Sequence, residues 1–572
     1  MEKILTLLSP PPPRFFETRG FLLSDVRFDS TASAGFVNRE NCDIVEKEFE
    51  QIVGMCMDKS GKLVSSVFII MFFTVGSKVL GFLRDVLIAA RFGSGMETDA
   101  YFVALSAAGI LSAFLMQAIE TTMIPVLSEV EEEEGKAKKI VHTNHILNLV
   151  LLVATGLLLF GWVFAPWIAR IMAVGFAGEQ LQLAVTLTRF AMPVVLFSGV
   201  SAVFLGLLQS EHRFFETAAI QLPFNFVYIF FLLFLAGTFG IRGLAVAGVL
   251  ATASQVVLQR IGLRKVHYRY RPRFTLQDPY VKKTLSLVPP VLLTTAISNL
   301  NTIVDRSMAS SLAAGSLSAL NFANKLNTLV HSVFIVALAT VLFPILAQEA
   351  RKTDKAGFKQ VTVRGINVIL LITLPATAGL IAFCTPIVRL AFERGAFDAA
   401  ATLITAESLA FYSIGLTGLS LKIYLDKAFF SLQDTRTPMV FGMVLVGLKI
   451  LLSFVFIATL QHKGLALATS LSLLATAFLL LYRMRVSLGT MGYEKVLYGG
   501  LKAGVAAFLM AVGSRFLHTV LLRVLGTGRL AEAGSLLVSV GAGVVLYLLL
   551  LYLLRVEELG LAVQMLRRRL GR

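Results

Sequence analysis

Apolar runs of about 20 residues recur from Leu63 almost to the C-terminus, and no other feature limits the fold of this chain as strongly. A run of that length crosses the ~30 Å hydrocarbon core of a bilayer as a helix, whose backbone hydrogen bonds close within the segment. Fourteen such spans are expected, at about 63–90, 99–126, 141–164, 182–209, 217–238, 241–262, 285–308, 316–346, 358–383, 402–431, 438–460, 464–485, 498–521 and 532–554. Of the 572 residues 56% are hydrophobic and only 15% charged. A soluble chain of this length would instead divide into domains with polar surfaces. The expected fold class is therefore all-α, a polytopic membrane protein.

The formal net charge of +17 does not point to nucleic acid, because the bases gather in short loops between apolar runs. Lys136, Lys138 and Lys139 follow the second span; Arg264, Lys265, Arg269, Arg271, Arg273, Lys282 and Lys283 follow the sixth. Arg351, Lys352, Lys355 and Lys359 follow the eighth, and Arg483, Arg485 and Lys495 the twelfth. By the positive-inside rule these even-numbered loops and both termini face the cytoplasm, here of a bacterial inner membrane. The aromatic-rich loop from Arg264 to Lys283 is read as an anchor to anionic lipid headgroups. Cys42, Cys56 and Cys384 have neither disulfide nor metal spacing. His142 and His145 lack further ligands and are read as interfacial, so no metal site is expected.

Residues 1–60 differ from the rest: they include Pro10 to Pro13 and carry 10 acidic against 7 basic residues. They are either a cytoplasmic tail or an extension upstream of a start at Met57. Beyond them the chain repeats. METDAYFVA with MIPVLSEVEEE resembles GSLSALNFA with LFPILAQEARK at an offset of 219 or 220, placing Asp99 on Ser318 and Pro125 on Pro344. Both copies follow an odd-numbered span in the same direction. The expected organisation is thus an N-terminal extension (1–60), an N-lobe of spans 1–6 (61–262), a basic linker (263–284), a parallel C-lobe of spans 7–12 (285–485), and spans 13–14 with a basic tail (486–572). Transporters built from repeats bind between the halves.

Charges inside the spans are the candidate site, since an ionised group in hydrocarbon needs a partner or a purpose. Lys78 lies about 22 Å along the first span. Arg84 is turned about 120° from it, and Asp85 shares its face. Two readings stay open: cations awaiting an anionic headgroup, or a Lys78–Asp85 pair with Arg84 reaching outward. Asp99 opens the second span and Gln117 returns to its face five turns later. In the eighth span Asn321, Asn324, Lys325, Thr328, His331 and Ser332 form a polar stripe, and Asp305 and Arg306 extend it from the seventh. Cations from both halves around a polar cavity suit a phosphate or pyrophosphate. No P-loop, HExxH or GxSxG motif indicates an enzyme.

At these residues the chain resembles the MurJ/MviN family of lipid II flippases, within the multidrug/oligosaccharidyl-lipid/polysaccharide exporter superfamily. The resemblance is carried by SKVLGFLRDVLIAARFG with DAYFVA, by VDRSMASSLAAGSLSALNFANKL, by LAFERGAFD and by KAFFSLQDTRTP. It implies an alternating-access bundle that moves an undecaprenyl-pyrophosphate-linked cell-wall precursor to the outer leaflet, with spans 13 and 14 bordering a groove for the prenyl tail. The family's central charges fall on Lys78, Arg84, Asp99 and Lys325, with Asn321 and Asn324 beside them; Asp85, Gln117, Asp305 and Arg306 would line the cavity. No cofactor is implied. Coupling to membrane potential or a monovalent ion, and contact with cell-wall synthesis proteins, are expected. Family members commonly have Arg at positions 78 and 325, an arginine-rich patch where this chain has Ser112 and Ala113, and Glu where it has Gln117. A carrier of another polyprenyl-linked glycan, or a non-transporting assembly scaffold, are the alternatives.

Overall fold

Peptide groups in hydrocarbon find no water, so each crossing segment has to close its hydrogen bonds internally. The computed structural model describes residues 61–556 apart from 273, 274, 276 and 527, and among them every regular element is a helix. The extension 1–60 and the basic tail at Arg567, Arg568, Arg569 and Arg572 lie outside the described residues. From Ser66 onward the chain belongs to one compact unit.

The first half contains α1 (Gly61–Phe92), α2 (Met96–Val163), α3 (Ala165–Met172), α4 (Gly178–Ala191), α5 (Val194–Ser210), α6 (Phe214–Ala218), α7 (Gln221–Phe230) and α8 (Ala236–Lys265). The second contains α9 (Pro279–Ser310), α10 (Ser316–Arg351), α11 (Ala356–Ala382), α12 (Cys384–Phe392), α13 (Ala399–Ile414), α14 (Leu416–Ser431) and α15 (Arg436–Leu488). Two helices follow, α16 (Tyr493–Leu525) and α17 (Arg529–Leu553). By length and composition 8 helices can cross a membrane, or 9 if the bent pair α13–α14 is one span.

Two long elements, α2 and α15, are hairpins, and α7 with α8 forms a third. Helical geometry breaks at Gly135 in α2, Gly240 in α8 and Gln461 in α15. In α2 the side chain of Leu111 comes within 3.0 Å of the site a Cβ on Gly161 would take, which a straight helix forbids at that separation. Tyr228 likewise closes on Gly248, and Gly464 on Phe456. With these arms divided, helical segments overlie the expected spans, the fourth shared by α4 and α5 and the tenth by α13 and α14.

The two halves are joined about a pseudo-two-fold axis at the end carrying the odd-numbered loops. Residues that the repeat equates meet there, Asp99 accepting from the Ser318 amide at 2.7 Å, and beside them the rings of Phe102 and Phe322 stack edge-on at 5.5 Å. Contacts away from the axis come in matched pairs. Gly395 packs on the Ala90 carbonyl, and Gly175, 220 residues earlier, packs on the carbonyl of Ser310, 220 residues after Ala90. One apolar cluster runs through both halves at this end, from Ala89 and Val103 to Leu320, Phe392 and Leu409.

Towards the other end the core divides. Ile119, Met123, Leu207 and Leu263 form one cluster in the first half, while Leu346, Phe358, Tyr424 and Leu480 form another in the second. The loop after α8 turns partly onto protein: Lys265 pairs with Glu216 at 3.0 Å, Tyr268 donates to Asn144 at 2.6 Å and Lys283 pairs with Glu129. The start of α9 follows it, Tyr280 donating to Glu133 at 2.6 Å. His142, read from the sequence as interfacial, is fully buried against the Tyr280 ring. Finally, α16 and α17 pack on α11 through Ala503, Ala507, Met510 and Tyr547.

Candidate functional site

Lys78 lies on α1 and points to the second half, its Nζ 3.5 Å from the Ser332 carbonyl of α10. Its side chain is exposed, and among the described residues no carboxylate pairs with it. On α10 the side chains of Asn324, Lys325 and Thr328 are exposed, with Asn321 and Ser332 half-buried along the same stripe. Lys325 also has no carboxylate partner among the described residues. The stripe has a buried edge: His331 and Asn327 are 6% exposed, and among the described residues His331 Nε2 and Asn327 Oδ1 have no hydrogen-bond partner. A cation held at this depth with no counter-charge is ready for an anion.

Arg84 is differently placed. Its guanidinium is 2.8 Å from Asp85, donates to Asn225 Oδ1 at 3.3 Å, and lies over the rings of Phe224 and Tyr228 at 5.6 and 5.4 Å. Asp85 is thus the partner of Arg84, where the sequence suggested Lys78. Asn225 in turn donates to the Ser77 carbonyl at 3.2 Å, which fixes the turn of α1 that carries Lys78. These contacts hold α1 against α7.

Asp99 is 2% exposed, and both its carboxylate oxygens are engaged by the second half: Gly315 N–H and Ser318 N–H donate to it at 2.7 Å each. These amides belong to the first turn of α10, whose free N–H groups and dipole favour a carboxylate. Ser94 adds bonds to the Gly315 carbonyl and the Ser318 hydroxyl, at 2.7 and 2.8 Å. Gly315 makes this approach possible. Its φ of +90° suits glycine, and a Cβ there would stand 2.7 Å from the Ser94 carbonyl oxygen. Asp99 therefore lies apart from Lys78 and Lys325, in the contact that shuts the odd-loop end.

Asp305 pairs at 2.6 Å with Lys449 of α15, a residue sequence reasoning passed over. The signal was available: Lys449 is a lone cation inside an apolar run, and such a residue requires a partner. Arg306, beside it, is half-buried; Gln117 is exposed on α2. The structure therefore brings Lys78 together with the α10 stripe, and places Arg84–Asp85, Asp99 and Asp305–Lys449 in supporting contacts around it. Among the described residues no group of three or more His, Cys, Asp or Glu is positioned to hold a metal ion.

Comparison with known proteins places this arrangement in context. The family model described as "Lipid II flippase MurJ" matches residues 88–554. The chain is 30% identical over 408 residues to a probable lipid II flippase MurJ of Rhizobium meliloti, covering 69% of this chain and 75% of the relative. It is 28% identical over 489 residues to that of Thermotoga maritima, covering 85% and 95%. Among solved structures, an inward closed conformation of lipid II flippase MurJ superposes with a TM-score of 0.71 at 23% identity, covering 88% of this chain and 100% of that one. An inward-facing multidrug transporter of the MATE family superposes with a TM-score of 0.61 at 14% identity, covering 73% and 98%.

Proposed function

The chain belongs to the MurJ lipid II flippase family, and on that premise we propose that it carries lipid II from the cytoplasmic to the outer leaflet by alternating access. It is a multi-pass membrane transporter and not an enzyme. The observation that carries the reading is one exposed cation from each half, Lys78 reaching α10 at the Ser332 carbonyl and Lys325 on α10 itself, both without a carboxylate partner among the described residues. A pyrophosphate presents charge enough for both, and Asn321 and Asn324 add hydrogen bonds on the same face. Arg84 and Asp99 serve the site through other groups, the first by fixing α1 and the second by holding the halves closed.

The positive-inside rule puts the even-numbered loops and both termini in the cytoplasm. The end sealed by Asp99 is then the outer one, and the described conformation faces inward. Opening outward requires the Asp99 contacts to break while the even-loop ends approach. No cofactor takes part in this cycle. Moving one charge through 100 mV is worth roughly 2.3 kcal/mol, so membrane potential, or a monovalent ion, can bias a two-state carrier. The remaining exposed bases of the 264–283 loop meet anionic lipid headgroups, and cell-wall synthesis proteins receive the cargo in the bacterial inner membrane.

A second reading, a carrier of another polyprenyl-linked glycan, is favoured by Ser112. That residue is 5% exposed and its hydroxyl is spent on the Ala108 carbonyl at 2.9 Å, so the middle of the first arm of α2 offers no cation. Depleting cells of their own lipid II flippase separates the readings. Rescue by this chain is expected; normal membrane levels without rescue would favour the other glycan. A scaffold would still rescue after charge reversal at Lys78 and Lys325, whereas a carrier would not.

A further inference from the structure

Away from the cargo site, five cations line one cavity of about 470 Å³: Lys359 and Arg364 of α11, Lys495 and Lys502 of α16, and Arg555 just beyond α17. Among the described residues lining it, none is acidic. Among the described residues none of the five forms an ion pair, unlike Lys352 and Arg389 nearby in the chain, which pair with Glu349 and Glu532. Lys502 is oriented from within the protein: it donates to the Leu554 carbonyl at 2.7 Å and lies 4.3 Å from the centre of the Tyr498 ring. Like charges gathered from three helices repel one another unless an anion sits among them. The N-termini of α11 and α16 open at the same cavity, and their free amides and dipoles add to its preference for negative charge.

The same two helices change character about two turns deeper. Leu374, Ala378 and Ile381 of α11, with Ala507, Phe508 and Phe516 of α16, line an apolar groove of about 700 Å³. From Asn367, the last residue of α11 in the basic cavity, to Leu374 is only ~10 Å of helix. Leu497 and Leu501, 76% and 65% exposed, flank the mouth of the basic cavity with hydrocarbon-compatible surface. A cationic cavity with an apolar groove about two turns further along the same helix pair fits an amphiphile with an anionic head. A soluble phosphate would use the first part and leave the second empty.

We propose that this cavity is a headgroup site for an anionic phospholipid of the adjacent leaflet, with an acyl chain in the α11–α16 groove. The lipid would offset the five charges and fasten α16 and α17 to the second half. Basic pockets between spanning helices at the cytoplasmic surface recognise lipid phosphate in this way. The proposal stands whether the cargo is lipid II or another glycan, since none of its residues is among the polar groups assigned to the cargo's headgroup.

The test uses the full chain purified in neutral detergent and native mass spectrometry of bound lipid. Phosphatidylglycerol, phosphatidylcholine and inorganic pyrophosphate are added separately to the protein and to two variants. In the first, Lys359→Gln, Arg364→Gln and Lys495→Gln neutralise the cavity; in the second, Arg351→Gln, Arg483→Gln and Arg485→Gln remove as much exposed charge elsewhere. Phosphatidylglycerol is expected to be retained at least ~10-fold over phosphatidylcholine by the protein and the second variant, and to lose that preference in the first. The single variant Lys495→Gln, at an exposed position, gives the same reading with a smaller loss if the triple variant does not fold. Equal retention by all three proteins would overturn the site. Pyrophosphate displacing phosphatidylglycerol would overturn the lipid and leave a soluble-phosphate site.

Discussion

Asp99 and Ser318 occupy equivalent positions in the two halves of the chain, and they touch: the carboxylate of one accepts the backbone N–H of the other at 2.7 Å. Equivalent residues meet only near a symmetry axis, so this contact marks where the halves hinge. The bond is unsymmetrical. The first half supplies a carboxylate and the second the N-terminus of α10, so one closure joins opposite partial charges across the axis. A contact at the axis can break without sliding the halves past one another, which suits a gate.

Removing this carboxylate should loosen the gate. Asp99→Ala strands the Gly315 and Ser318 amides, and the loss of two charge-assisted bonds is worth about 2–3 kcal/mol in the closed state. A cysteine placed at Ser94 in a chain freed of its own cysteines should then react at least ~10-fold faster with an impermeant thiol reagent. Unchanged reactivity would mean that Asp99 does not hold the gate.

Gly315→Ala should act in the same direction by another route. Its Cβ would meet the Ser94 carbonyl oxygen at 2.7 Å, and φ of +90° costs an alanine about 1–2 kcal/mol. Labelling at the gate should rise as for Asp99→Ala. Gly534→Ala, where a Cβ meets open space, should leave it at the wild-type level.

The Lys449–Asp305 pair should behave as an internal brace. Lys449→Met leaves Asp305 without its cation. Because Asp305 keeps 41% of its side chain exposed, the cost should fall to about 1–3 kcal/mol, below that of a fully buried pair. Thermal unfolding in detergent should therefore come earlier, and Lys449→Met with Asp305→Asn should recover part of the loss. A single variant as stable as the parent would assign the pair no bracing role.

Much of this was legible in the sequence because lipid restricts the options. Helices are obligatory, their lengths are set by the bilayer, and the repeat between METDAYFVA and GSLSALNFA places the halves in parallel. The exposed cations Lys78 and Lys325 were legible for the same reason, as charges at positions where hydrocarbon was expected. What periodicity could not supply was partnership across the fold. Arg84 finds Asn225, 141 residues away, and Asp305 finds Lys449, 144 residues away. Helix spacing is silent about such distances. Asp99 was read as a cargo contact because it opens the second span close in sequence to Lys78 and Arg84 and falls on one of the family's central charges. Its actual partners are backbone amides, which every sequence has and none displays. The hairpin at Gln461 was legible only as the gap between the spans expected at 438–460 and 464–485, because a non-glycine with φ of +49° gives no turn signal of its own.

The most direct test of the account is translocation of lipid II into proteoliposomes by the full chain and by its Lys78→Glu, Lys325→Glu double variant, at matched reconstitution. The account predicts that the parent protein moves lipid II and that charge reversal reduces the rate at least ~100-fold, since both cations that meet the pyrophosphate are replaced by like charge. A correctly folded double variant that transports as well as the parent, or a parent that moves no lipid II, would contradict it.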